Sequence, residues 1–196
     1  MSLDFRKAEF AFGVASESQF PADGLPQVAF AGRSNVGKSS LLNALAGAKK
    51  LVKTSATPGK TRELNFFRID GKMHLVDFPG FGYAKMPKTE RARIGRLIDA
   101  FVAKSEALRG IVYLVDLRTE ATALDVQMVS ALARSGTPML VVGTKADKIG
   151  KVAREKSLRT IAEKLGLDEL PHWTSSSSGE GVQELRDALE ALADED

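Results

Sequence analysis

The chain has 196 residues, 43% hydrophobic and 27% charged, with 28 Lys and Arg against 25 Asp and Glu for a formal charge of +3. That length suits one domain with a sizeable core, and so small a positive excess does not by itself mark a nucleic-acid binder. No cysteine means no disulfide, thiolate metal site or Cys nucleophile, and two histidines, His74 and His172, give no basis for a His-rich metal site. No stretch reaches the roughly 18–20 apolar residues of a membrane helix, and Met1 to Phe10 lacks an apolar signal core, so a cytoplasmic protein is expected.

In chain order, Gln27 to Ala31 is an apolar run ending at Gly32, and Ser39 to Ala46 is helical, with Leu41, Leu42 and Leu45 on one stripe. Leu64 to Ile69 and Lys72 to Phe78 read as strands joined by the turn Asp70-Gly71, with Phe66 facing the core and Phe67 the hairpin surface. Thr89 to Ala107 carries a helical face of Ile94, Leu97, Ile98, Phe101 and Val102. Ile111 to Leu117 and Met139 to Gly143 are continuous apolar runs, the pattern of strands covered on both faces. Helices at Ala123 to Arg134, Val152 to Leu165 and Val182 to Ala193 follow, with a short strand at Pro171 to Thr174. This alternation predicts a doubly wound α/β domain. Its mixed six-stranded sheet is mostly parallel, with one antiparallel strand and helices on both faces. Ligands of such sheets bind at the carboxyl ends of the strands.

The informative residues lie there. Gly32-Arg33-Ser34-Asn35-Val36-Gly37-Lys38-Ser39, continued by Ser40, has the spacing G-x-x-x-x-G-K-[ST] between a strand and a helix. Glycines let backbone N–H groups turn toward phosphate oxygens, Lys38 reaches the β- and γ-phosphates, and the Ser39 hydroxyl can bind magnesium. Asp77-Phe78-Pro79-Gly80 ends the second hairpin strand, with a carboxylate for magnesium and a Gly80 N–H for the γ-phosphate. Thr144-Lys145-Ala146-Asp147 follows a buried strand. Asp147 can accept from guanine N1–H and its 2-amino group, which adenine cannot match, so the nucleotide is GTP or GDP rather than ATP. Ser175-Ser176-Ser177 would offer backbone N–H groups to the guanine O6. Thr54 to Thr61 is a polar loop punctuated by Pro58 and Gly59, and Thr61 is chosen over Thr57 to complete the magnesium shell.

These motifs, in this order, resemble a TRAFAC-class GTPase. The flanks, among them Thr57-Pro58-Gly59-Lys60-Thr61, Leu64-Asn65-Phe66-Phe67, Val76 to Lys85 and Asp125-Val126-Gln127-Met128, resemble the EngB (YsxC/YihA) group of bacterial GTPases. The resemblance implies a P-loop NTPase fold with a Ras-like G domain over residues 23–196, and an extension, residues 1–22, packed on it. It implies nucleotide contacts from Gly59, Lys60, Thr61, Arg62 and Glu63 besides the loops above. It further implies a magnesium-dependent GTPase switch for assembly of the large ribosomal subunit, tied to cell division and septation, acting as a monomer on rRNA and ribosomal proteins. A nucleotide-gated module of the division machinery with incidental hydrolysis is the alternative. Thr144 stands where most guanine loops have Asn. Phe81 replaces a water-orienting Gln, which implies slow intrinsic hydrolysis, and Asn35 matches an asparagine that can recruit K⁺ beside the phosphates. Lys85, Lys88, Arg91, Arg93 and Arg96 form a basic patch after the Asp77 loop, suited to phosphate backbones. A second basic group, Lys49, Lys50 and Lys53, precedes the polar loop.

Overall fold

The computed structural model describes residues 2–48, 50–52, 62–82 and 86–194. Its strands are β1 (Ala8–Val14), β2 (Gln27–Gly32), β3 (Leu64–Ile69), β4 (Met73–Asp77), β5 (Leu108–Asp116), β6 (Met139–Thr144) and β7 (His172–Trp173). The helices are α1 (Lys38–Leu45), α2 (Lys88–Lys104), α3 (Ala123–Ala133), α4 (Lys151–Leu165) and α5 (Val182–Asp194). The sheet order is β1-β3-β4-β2-β5-β6-β7. β3 pairs antiparallel with both β1 and β4, and every other pairing is parallel, so β3 alone runs against the rest.

The sheet has seven strands where the sequence pattern predicts six. The addition is β1, in the N-terminal segment, which pairs with β3 from Ala8–Ile69 to Val14–Leu64. The alternation Glu9-Phe10-Ala11-Phe12 is its signal, blurred by a register shift between Phe10 and Phe12. β1 also explains a second difference. Phe67 is buried rather than on the hairpin surface, with Phe10 edge-on at 5.7 Å between ring centres and Leu3 and Phe5 in the same apolar cluster. The N-terminal segment therefore covers a face that the hairpin alone would expose, and burying one such ring is worth about 2–3 kcal/mol.

Helices cover both faces of the sheet. Ile94, Leu97, Ile98 and Phe101 of α2 join Val129 and Leu132 of α3 and Leu158 and Ile161 of α4 on one side. Leu41, Leu42 and Leu45 of α1 join Leu185 and Leu189 of α5 on the other. The β3–β4 turn has the expected left-handed pair, Asp70 at φ 49° and Gly71 at φ 70°. α2 ends at Lys104 rather than Ala107, because β5 starts at Leu108, earlier than the apolar run alone suggests. His74 is fully buried, its Nε2 2.8 Å from Asp23 Oδ2, which gives it a structural place in β4.

Candidate nucleotide site

The loop between β2 and α1 folds around three backbone choices. Asn35 is left-handed at φ 63°, and Gly37, the N-cap of α1, stands at φ 106°, a region that side chains resist. Asn35 and Gly37 N–H groups have no backbone partner among the described residues. The N–H groups of Lys38, Ser39 and Ser40 open α1, where no intrahelical acceptor exists. Together they form a concave set of donors at a helix N-terminus, the arrangement that binds phosphate. Not every loop residue is free to serve. Ser34 N–H donates to Phe81 O at 2.9 Å, Phe81 N–H donates to Gly32 O at 3.1 Å, and Phe78 N–H to Phe30 O at 3.0 Å.

Those bonds zip the Asp77–Gly80 segment to the phosphate loop. A Cβ at Gly80 would lie 3.0 Å from Ser34 Cα, so any larger residue would have to push the phosphate-loop backbone aside. Phe78 is fully buried in the core, so only its backbone faces the site. Lys38 and Asp77 form a close ion pair in which the side chains are 10% and 3% exposed. So little water leaves their charges weakly screened, and an incoming phosphate competes for Lys38 as a cation does for Asp77. The donor set suits magnesium: the Asp77 carboxylate and the Ser39 hydroxyl would hold it, together with phosphate oxygens and water. No cluster of three or more His, Asp or Glu side chains able to hold a metal occurs among the described residues. Thr57, Gly59, Lys60 and Thr61 lie outside those residues. The contacts of Arg62 and Glu63 are with other elements: Arg93 Nη2 donates to Arg62 O at 2.8 Å, and Glu63 abuts Gly13 of β1.

A cleft of about 550 Å³ adjoins the phosphate loop, lined by Gly37, Ser40, Asn43, Thr144, Lys145, Asp147, Ser176 and Ser177 among others. Lys145 is left-handed at φ 60°, and its ammonium bridges Asn35 O at 2.7 Å and Asp116 Oδ2 at 2.9 Å. Asp147 accepts from Ser175 Oγ at 2.8 Å and faces Lys148 at 3.1 Å. Hydrogen bonds from Ser175 and Ser177 hold its carboxyl at about 2, so it is ionised and fixed in direction. The Thr144 hydroxyl donates to Val36 O at 2.6 Å, tying β6 to the phosphate loop, so its one proton is not free for the base. Ser175 N–H donates to Glu180 O at 2.9 Å, leaving Ser176 and Ser177 as the backbone donors of that loop.

Sequence reasoning passed over the braces of this site. Burial works against ionisation of Asp116, but the Arg118 fork at 2.7 and 3.0 Å and the Lys145 ammonium outweigh it and hold the carboxyl at about 2. Asp125, 1% exposed, accepts from Tyr113 OH at 3.0 Å and from Thr122 N–H at 2.8 Å, and Arg33 Nη1 lies 3.7 Å away. Arg33 therefore serves α3 with its side chain and the phosphate loop with its backbone. The Asn43 amide pairs with both backbone groups of Val52, at 2.9 and 2.8 Å.

The profile of the family described as "50S ribosome-binding GTPase" matches residues 27–145, which hold β2 through Lys145. A relative from Syntrophomonas wolfei, called "Probable GTP-binding protein EngB", is 43% identical over 192 residues, 98% of this chain and all of that one. This chain belongs to the EngB family of GTPases. A crystal structure titled as a probable GTP-binding protein engB superposes with a TM-score of 0.70 at 25% identity, over 85% of this chain and 98% of that one. Era solved with MgGDPNP and a piece of 16S ribosomal RNA superposes at 0.65 and 25% identity, over 86% of this chain and 56% of that one. As a member of the EngB family the chain has the P-loop GTPase fold and hydrolyses GTP.

Proposed function

We propose that this GTPase is a magnesium-dependent switch that works in the cytoplasm, as a monomer, in assembly of the large ribosomal subunit. The observation that carries the reading is a group of exposed basic residues on α2, which follows the Asp77–Gly80 loop in the chain. Lys88, Arg91 and Arg96 are exposed on this helix, and none has an ion-pair partner among the described residues. Arg93 leaves this set. It is forked onto Glu90 at 2.8 and 3.1 Å and donates to Ala15 O and Arg62 O, so it serves the fold. Lys49, Lys53 and Lys85 lie outside the described residues. Three exposed cations on the helix that follows the Asp77–Gly80 loop, of which Arg91 also gives one hydrogen bond to Met86 O at 3.4 Å, suit an RNA backbone and make its binding salt-dependent.

In this reading the phosphate-loop N–H groups of Asn35 and Gly37 through Ser40 cradle the phosphates, and Lys38 leaves Asp77 for the β- and γ-oxygens. Ser39, Asp77 and Thr61 would hold magnesium, whose charge would offset that developing between those phosphates. Gly80 N–H meets the γ-phosphate, and Asp147 selects guanine. The Phe81 ring packs against the core, and its backbone is tied to Gly32 and Ser34, so it does not orient water. Hydrolysis is accordingly slow until a partner or K⁺ beside Asn35 assists, and rates in KCl should exceed those in NaCl at equal ionic strength. Residues 1–22 act as an extension packed on the G domain of residues 23–196.

Co-sedimentation with ribosomal particles, using a GTP analogue, GDP or no nucleotide across a KCl series, tests the proposal. Retention on large-subunit material with the analogue alone, fading as salt rises and weakened by Lys88→Ala with Arg96→Ala, supports it. No association in any nucleotide state overturns it. The tie to division and septation would then direct the search toward a septal protein.

A further inference from the structure

At the sheet edge formed by β7 lies a second cleft, of about 460 Å³, lined by Leu170, Pro171, His172 and Trp173 and by Glu180, Gly181 and Glu184 at the entry to α5. Leu170 is 54% exposed, one of four large hydrophobic side chains left open to water among the described residues. The Arg154 guanidinium stacks over the Trp173 ring at 3.8 Å and steadies it. Glu180 and Glu184 are exposed, and neither has an ion-pair partner among the described residues. Asp168 and Glu169, just ahead of Leu170, are exposed too. On a chain of net charge +3 this is a local acidic rim around an apolar floor.

That combination selects one kind of occupant. A Lys or Arg side chain lays its aliphatic stem on apolar surface while its charge reaches a carboxylate. An RNA backbone would meet like charge at the rim.

The cleft and the guanine site are two sides of one loop. Ser175 N–H donates to Glu180 O at 2.9 Å, Gly179 N–H to Ser175 O at 2.8 Å, and Ser178 Oγ to Glu180 Oε2 at 2.9 Å. The same Ser175 donates through Oγ to Asp147. The far end of the loop is pressed against β7, since a Cβ at Gly181 would fall 2.0 Å from Trp173 O. The Glu180 carboxylate on the cleft side thus holds Ser178 Oγ within the same loop in which Ser175 holds Asp147.

We infer that this cleft docks a basic, extended peptide segment of a partner protein, and that docking loosens the guanine loop and speeds GDP release. The coupling rests on the assignment of Asp147 and Ser175 to Ser177 to guanine, whereas the docking does not. Trp173 is the single tryptophan of the chain, so its emission reads docking directly in the intact protein.

The probe is an end-blocked peptide of alternating Lys and Leu, titrated with and without bound fluorescent GDP. The expected result is a saturable change in Trp173 emission and GDP dissociation faster by about fivefold or more. Both effects should fade in Glu184→Gln and more so in Glu180→Gln with Glu184→Gln. A neutral Ser/Leu peptide should do neither. Absence of a saturable change, its survival in the double variant, or an equal response to an RNA oligonucleotide overturns the docking. Saturable docking with unaltered GDP release overturns the coupling. Failure of the guanine assignment is read separately, as Asp147→Asn protein that keeps its GDP affinity.

Discussion

Thr144→Val separates a base contact from a structural tie. The side chain is 2% exposed, and its hydroxyl lies 2.6 Å from Val36 O and 3.3 Å from Val115 O, two acceptors that compete for one proton. Valine keeps the shape and leaves the Val36 carbonyl without its donor. A buried hydrogen bond lost in this way costs about 2 kcal/mol. In a domain of this size that corresponds to a melting temperature lower by roughly 4–8 °C. Val36 belongs to the phosphate loop, so affinity should fall together for GDP and for 7-deaza-GDP, which lacks the N7 acceptor. The assay is paired titration of both ligands against wild type and variant, with calorimetric melting alongside. The ratio of the two dissociation constants should be the same in both proteins within about twofold. If the wild type prefers GDP, the variant loses that preference and the melting temperature is unchanged, the hydroxyl serves the base and the reasoning is refuted.

Other consequences follow from the same geometry. Asp147→Asn should move preference from GTP toward xanthosine triphosphate by about a hundredfold or more in a competition assay, because the acceptor pair for guanine becomes half donor; unaltered GTP preference would undo the guanine assignment. Arg186 of α5 donates to Leu45 O at 2.6 and 3.0 Å and to Ala44 O at 3.3 Å, closing the C-terminal end of the helix that follows the phosphate loop. Arg186→Ala should therefore cost about 1–2 kcal/mol in urea denaturation, and an unmoved midpoint would contradict that role. Asp116 is held at about 2, below an unfolded carboxyl near 3.9, so its contribution is complete above about pH 4 and is lost as pH falls toward 2. Asp116→Asn should flatten that part of the acid stability profile, and a profile identical to wild type would show that the Arg118 and Lys145 bonds contribute nothing there.

Local pattern predicted most of the loops that line the candidate site. The phosphate loop, the Asp77–Gly80 turn, the Asp147 loop and the Asp70-Gly71 hairpin are each defined by a few adjacent residues whose spacing and backbone preference are visible in the sequence. The central strands were equally legible, since a strand covered on both faces must be apolar throughout. Tertiary structure alone decided which distant side chains meet. β1 needed β3 to become a strand, and its arrival buried Phe67. Arg93 looks like a free cation in sequence, but carbonyls from two other segments and Glu90 claim it. The Thr144 proton went to a carbonyl more than a hundred residues earlier. Periodicity reports that an element hides one face, and a motif reports what a loop can hold. Neither reports which remote donor or acceptor will satisfy a buried polar group, because the folded chain brings those partners together.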